Sequence, residues 1–199
     1  MAEQPVLKVL SIVSYPFLPA QTGGQKGIAL FNKYFSRQVE LHCITPKSNQ
    51  NQLAGYITVP LFGQSKFRYI NILNFFFIRK YLKAQNIDYV VLEHPYFGWL
   101  GLMLKYFCRV RLVVHSHNIE SIRWKNLGKW WWKILFGYEK LTHKNADINF
   151  FITDEDKEYA IKEFLLQRGK CITVTYGTEI RSKPFPEEVE KARKFLVDK

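Results

Sequence analysis

Apolar and polar positions along this chain follow two alternating periods. Val6–Ser14 (VLKVLSIVS) is a nearly continuous β-branched run, the pattern of a strand covered on both faces. Tyr15–Gly27 is dense in Pro and Gly and predicts a loop. Apolar residues at 28, 30, 31, 34 and 35 then recur at helical spacing. The alternation continues. Strands are predicted at Val39–Thr45, Thr58–Leu61, Asp88–Glu93, Arg111–His115, Ile148–Ile152 and Cys171–Thr175. Helices are predicted at Lys66–Gln85, Phe97–Phe107, Lys129–Lys144 and Asp154–Gln167. The first of these collects Phe67, Ile70, Leu73, Phe77 and Tyr81 on one side. Such an order predicts an α/β fold, a Rossmann-like parallel sheet with helices on both faces. Residues 1–183 form that unit, and 184–199 read as a proline-marked linker followed by a charged terminal helix.

The Lys129–Lys144 helix has an informative wheel. Trp130, Trp131, Ile134, Leu135, Tyr138 and Leu141 share one broad arc, which predicts the core face. Lys129, Lys133, Lys140 and Lys144 form a stripe elsewhere, with Trp132 and Phe136 beside it on the outer side. Aromatics next to lysines on an outer face suit an anionic membrane surface. Equally, they suit a basic face whose aromatics a neighbouring domain covers.

Charge sharpens this picture. The 199 residues carry a formal net charge of +12, and 105–144 alone hold nine Lys and Arg against Glu120 and Glu139. Nucleic acid, anionic lipid and phosphorylated ligands are the partners that such a balance fits. No nucleic-acid recognition signature accompanies the basic residues, so nucleic acid is not expected. Hydrophobic residues at 47% exclude wholesale disorder. The longest apolar stretch, Tyr69–Ile78, is half of what a membrane span needs, and Met1–Lys8 lacks a signal pattern. Cys43, Cys108 and Cys171 are odd in number and widely spaced, which argues against disulfides or a zinc site. A cytoplasmic chain is expected, peripheral at the inner face of the cytoplasmic membrane if the basic surface binds lipid.

In an open parallel sheet, ligands sit beyond the carboxyl ends of the strands. After the first strand comes Thr22-Gly23-Gly24-Gln25-Lys26-Gly27, where two glycines permit close approach to a helix N-terminus. This is neither a G-x-G-x-x-G fingerprint nor a Walker loop. After the fourth comes Glu93-His94-Pro95-Tyr96, and after the fifth Ser116-His117-Asn118-Ile119-Glu120, with Arg123 following. Histidines thus end two successive strands. His94, His115 and His117 offer a metal reading, but they lack a spaced ligand signature and none is expected.

Four segments together resemble the N-terminal domain of glycosyltransferase family 4, enzymes of the GT-B fold. They are VLSIVSYPFLPAQTGGQKGIAL, DYVVLEHPYFGWLGL, RLVVHSHNIESIR, and the pair FFITDEDKEYAI and CITVTYGTEI, covering residues 6–181. Departures are Tyr176-Gly177-Thr178-Glu179 where Asn-Gly-Val-Asp is usual, Thr153 in place of Ser, and Glu93 before His94. The resemblance implies one half of a GT-B enzyme: a retaining glycosyltransferase moving a sugar from a nucleotide sugar to a glycan or lipid-linked acceptor, as in cell-envelope polysaccharide synthesis. It places Gly23, Gly24, Gln25, His94, Asn118, Glu120 and Arg123 against donor or acceptor. It brings His117 to the reacting carbon, with no metal and no cofactor beyond the nucleotide-sugar co-substrate. Such enzymes bind the donor with a second half that carries an E-x7-E motif. The Glu155/Glu163 and Glu179/Glu187 pairs have that spacing but not that setting. The donor-binding half is expected to lie outside this chain, which alone should bind acceptor weakly and transfer little. The alternative is a non-catalytic Rossmann-like module for a nucleotide or a protein partner.

Overall fold

The computed structural model describes residues 6–179, together with 187, 190 and 193. Seven strands form one sheet in the order β3-β2-β1-β4-β5-β6-β7, every pair parallel. They are β1 (Lys8–Val13), β2 (Glu40–Pro46), β3 (Ile57–Phe62), β4 (Tyr89–Glu93), β5 (Arg111–Ser116), β6 (Ile148–Phe151) and β7 (Cys171–Thr173). The helices are α1 (Gly23–Phe35), α2 (Leu73–Gln85), α3 (Gly98–Cys108), α4 (Glu120–Asn126), α5 (Trp132–Asn145) and α6 (Asp154–Glu163). The expected Rossmann-like α/β architecture is therefore the observed one. Glu187, Glu190 and Arg193 are helical and exposed, and the rest of the expected linker and terminal helix lies outside the described residues.

β1 bonds to β2 on one side and β4 on the other, so the strand order reverses between β1 and β4. A crevice opens at the carboxyl ends where the connections diverge. Successive strand residues point to opposite faces. Leu10, Ile12, Ile44, Val90, Leu92 and Leu112 meet α2 and α3 in the main core. Val9, Leu41, Val91 and Val113 form a second layer on the other face, with Phe35 of α1 packed against it. Glu93 and His115 share the parity of Val91 and Val113, and so project on the α1 side.

The helix α4 is not among the expected elements, α6 ends at Glu163 rather than Gln167, and two more helices differ from the periodicity reading in extent and face. The expected Lys66–Gln85 helix is a 3-10 turn at Lys66–Tyr69 and then α2 from Leu73. Asparagines break it. Asn71 Oδ1 accepts from the Leu73 N–H at 3.0 Å, and the Asn74 amide donates to the Arg68 carbonyl at 3.1 Å. The buried face of α2 is Asn74, Phe75, Ile78 and Leu82, while Phe67, Ile70, Leu73 and Phe77 face outward. In α5 the inward face is likewise not the expected one. Glu139, Thr142 and His143 are buried, whereas Trp130 is 81% exposed and Ile134 and Leu141 also face solvent. Each buried polar residue has a partner: Glu139 the Glu120 and Ser121 N–H groups, Thr142 the Tyr138 carbonyl, His143 the Asn149 amide. Satisfied polar groups can occupy a core, and apolar periodicity cannot register them.

Among the described residues, no helix is long and apolar enough to cross a membrane.

Gly98 opens α3 directly against α5. A Cβ there would lie 2.1 Å from Thr142 Oγ1. Gly98→Ala is expected to destabilise the chain by about 1–3 kcal/mol through overpacking, read as a lower urea midpoint. An unchanged midpoint would show that α3 and α5 separate without cost.

Candidate active site

The site grows from the register of β4 and β5. Glu93 pairs with His115 across the ladder, and His117 lies two residues beyond on the same face. The Glu93 carboxylate has essentially no exposed surface. Its Oε2 lies 2.7 Å from His117 Nε2 and 3.0 Å from His115 Nδ1. Burial alone would raise its pKa, but the two imidazoles reverse this and hold it well below the usual carboxylate range. Burial pulls His117 down to about 4, against the upward pull of Glu93. The network then assigns the tautomer. Neutral His117 donates Nε2–H to Glu93, and its Nδ1 accepts from the Tyr176 hydroxyl at 2.6 Å.

A second carboxylate anchors the opposite wall. Glu120 Oε2 accepts from the Tyr96 hydroxyl at 2.7 Å and lies 3.3 Å from Arg123 Nη1. His94 Nδ1 is 3.4 Å from Glu120 Oε1, and its Nε2 is 3.0 Å from the Tyr15 hydroxyl. Burial raises the Glu120 pKa, and His94, Tyr96 and Arg123 reverse it to about 2. The His94 ring stacks on His117 with centroids 4.3 Å apart. His94 has φ +70°, a strained conformation for a side chain of this size, and its N–H donates to the His115 carbonyl. Glu139 holds α4 in place by accepting from its first two N–H groups at 2.8 and 2.9 Å. Burial pushes Glu139 up to about 7 against those hydrogen bonds.

Gly23 and Gly24 form the first turn of α1 rather than a loop before it. Thr22 and Gln25 make a capping box. The Gln25 side chain accepts from the Gln21 and Thr22 N–H groups and donates to the Pro16 carbonyl. It therefore shapes the turn. The Gly23 N–H and Gly24 N–H groups have no acceptor among the described residues. A cleft of about 550 Å³ opens beside them, lined by Gly23, Lys26, Gly27, Tyr176 and Gly177. A Cβ on Gly27 would lie 2.0 Å from the Tyr176 ring, so a side chain there would displace that ring.

Of the expected site residues, the fold unites Gly23, Gly24, His94, His117 and Glu120 around the β1/β4 crevice. His117 is buried, with both ring nitrogens engaged. Asn118 and Arg123 are exposed and border a separate depression toward Asp156 of α6. The expected surface set divides. Lys129 and Lys133 are exposed, but Trp132 and Phe136 are half-buried and line a cleft of about 560 Å³. Phe136 packs on Phe164, and Lys140 donates to the Glu163 carbonyl. The outward aromatic there is Trp130, which lies in the turn before α5 rather than on the expected helix. Sequence reading missed Glu93, Tyr15, Tyr96, Lys26 and Tyr176 as site residues. All five lie just past a strand or in the glycine turn, which was the available signal. Glu93, His115 and His117 also form a group whose ligand-type atoms lie within 4.8 Å of one another. A cation there would have to displace the hydrogen bonds that close the group, and His94 is not in it.

Two substitutions should move His117 in opposite directions. Glu93→Gln removes the charge that raises its pKa, so the value should fall below about 4. Tyr176→Phe removes a donor that favours neutral Nδ1, so the value should rise. Imidazole NMR titration reads both. Shifts of the same sign would refute the assigned tautomer.

Comparison with known proteins bears on the fold and the family. Residues 22–180 match Glycosyltransferase Family 4. The chain is 26% identical over 116 residues to the chitobiosyldiphosphodolichol beta-mannosyltransferase of Candida albicans, covering 54% of this chain and 25% of that protein. It is 28% identical over 113 residues to the enzyme of that name from Debaryomyces hansenii, covering 52% and 24%. Among solved structures, Anabaena HepE in complex with UDP-glucose superposes with TM-score 0.70 at 12% identity, over 96% of this chain and 50% of that one. A Rickettsia africae glycosyltransferase gives 0.64 at 14% identity, over 97% and 50%. A Rickettsia bellii UDP-N-acetylglucosamine 2-epimerase gives 0.59 at 13%, over 98% and 50%, so the fold by itself does not select a reaction. The match thus spans about a quarter of the curated relatives' length and half of these solved chains. Its extent along the sequence is what decides the family, and the chain belongs to glycosyltransferase family 4.

Proposed function

We propose that this chain is the acceptor-binding half of a retaining glycosyltransferase that moves a sugar from a nucleotide sugar to a lipid-linked glycan. One observation carries the reading. In a family 4 chain, the open first turn of α1 lines a cleft whose Tyr176 hydroxyl is hydrogen-bonded to His117 of the buried His-Glu cluster. The matched relatives are named for a diphosphodolichol-linked acceptor, and that supports the lipid-linked class.

The crevice residues have distinct tasks in this reading. The Gly23 and Gly24 N–H groups and Lys26 would take an anionic group at the α1 N-terminus. Neutral His117, oriented by Glu93, would present Nδ1 to a substrate hydroxyl once Tyr176 swings away. With a pKa of about 4 it is a poor proton acceptor at neutral pH, which favours orientation over general-base catalysis. Retention fits that weak basicity. Charge on the leaving diphosphate would be met mostly by a donor-binding half outside this chain, with no metal required. In this reading the enzyme would work at the inner face of the cytoplasmic membrane.

Saturation-transfer NMR on the chain tests the acceptor role. A short-chain polyprenyl diphosphate disaccharide should bind, and Lys26→Ala should weaken it about tenfold, or ~1.4 kcal/mol. UDP and GDP should give no signal. The reverse pattern would instead establish the non-catalytic nucleotide-binding module. In the enzyme completed by its donor-binding half, the product's anomeric proton should show retention, and inversion would make His117 a base.

A further inference from the structure

We propose that the outer face of α2, with the 66–69 turn before it and the end of α3 beside it, docks on an anionic phospholipid bilayer. The inference deepens the lipid-linked reading above and rests on it for why docking matters. It also moves the membrane contact away from Trp132 and Phe136.

Four observations converge on this face. First, large apolar side chains point outward. Phe67, Ile70, Leu73, Phe76 and Phe107 are between 57% and 74% exposed. Leu73, Phe76, Phe77 and Lys80 recur at i, i+3, i+4 and i+7, so they share one side of α2. Phe75 packs edge-on against both Phe76 and Phe107, which joins α2 to the end of α3 in one patch. Scattered exposed hydrophobes are ordinary, but a contiguous aromatic patch of this kind marks a contact surface.

Second, the charge is of one sign. Arg79, Lys80, Lys83 and Arg109 are exposed and have no ion pair among the described residues. No Asp or Glu occurs between Glu40 and Asp88, nor between Glu93 and Glu120. The whole of α2 and α3 is thus free of acids. Third, a bilayer interface offers both apolar depth and negative charge, which this surface complements at once.

Fourth, the face adjoins the site. The Tyr69 ring, within the 66–69 turn, packs against Tyr96 and Phe97, and Trp99 Nε1 donates to the Tyr69 carbonyl at 2.6 Å. Tyr96 in turn holds Glu120. A glycan whose lipid tail stays in the bilayer would emerge beside the crevice rim.

The test is co-sedimentation of the full chain with vesicles of phosphatidylcholine and phosphatidylglycerol, and of phosphatidylcholine alone. Binding to the anionic vesicles should exceed binding to the neutral ones at least tenfold. Both the Phe76→Ser/Phe107→Ser and the Arg79→Glu/Lys80→Glu double variants should lower it at least tenfold. All four positions are exposed, and circular dichroism is the control that each variant folds. Lys129→Glu/Lys133→Glu should lower it less than twofold. Wild-type binding by either α2 variant, or no preference for anionic lipid, would overturn the proposal. So would a wild-type dimer in sedimentation velocity that Phe76→Ser/Phe107→Ser dissolves, with no vesicle binding, since the patch would then join two copies. The vesicles carry no glycan, so failure of the acceptor reading leaves this result separately legible.

Discussion

A carboxylate without solvent at the end of a central strand is expensive, and much of the site is arranged around keeping Glu93 ionised. Its neighbour across the β4–β5 ladder is His115, and the next residue of the same parity is His117. A slip of one residue in that register would turn Glu93 toward the apolar layer under α3 and leave it unpaired. The register is therefore tied to the chemistry as much as to the core. Phe31 of α1 lies on the His115 ring, with centroids 4.6 Å apart, and so closes the cluster from the α1 side. The strain at His94 follows from the same arrangement, because its N–H must reach the His115 carbonyl while its ring lies over His117.

The third buried carboxylate acts at one remove. Glu139 reaches from α5 to the N-terminus of α4, a seven-residue helix too short to be stable alone. Fixing that terminus fixes Glu120, the first residue of α4, whose side chain organises His94, Tyr96 and Arg123. The polar inner face of α5 is thus a support for the site. Turning Glu139, Thr142 and His143 inward is what sends Ile134 and Leu141 to the surface.

The fold was legible because parallel strands buried on both faces are continuous apolar runs, and all seven expected strands are present to within a residue or two. The crevice was legible because its position follows from topology, and the histidines ending β4 and β5 carried the signal. Helix faces were not legible. The wheel ranks residues by apolarity, but α5 buries a glutamate, a threonine and a histidine, each hydrogen-bonded: Glu139 to α4, Thr142 within its own helix and His143 to Asn149. In α2 the two asparagines shift the start of the helix, so its inward arc differs from that of a helix beginning at Lys66. Glu93 was visible as a departure from the family pattern. Its role needed the register, which no single-sequence periodicity contains. Tyr176 reaches His117 from 59 residues away, and only the crossing of the β7 exit over Gly27 brings them together.

These misplaced faces bear on how an acceptor would approach. With the α2 and α3 aromatics in the core, the layer over that side of the sheet would be an ordinary solvated surface. With them outside, the layer is apolar and basic, while the open turn of α1 lies on the opposite side of the sheet. The two surfaces meet at the carboxyl edge of the strands, where the Tyr69–Tyr96 contact bridges them. The acceptor proposed above needs those two surfaces at one edge, because its tail would stay on the α2 side while its head group passes Tyr96 to reach the crevice.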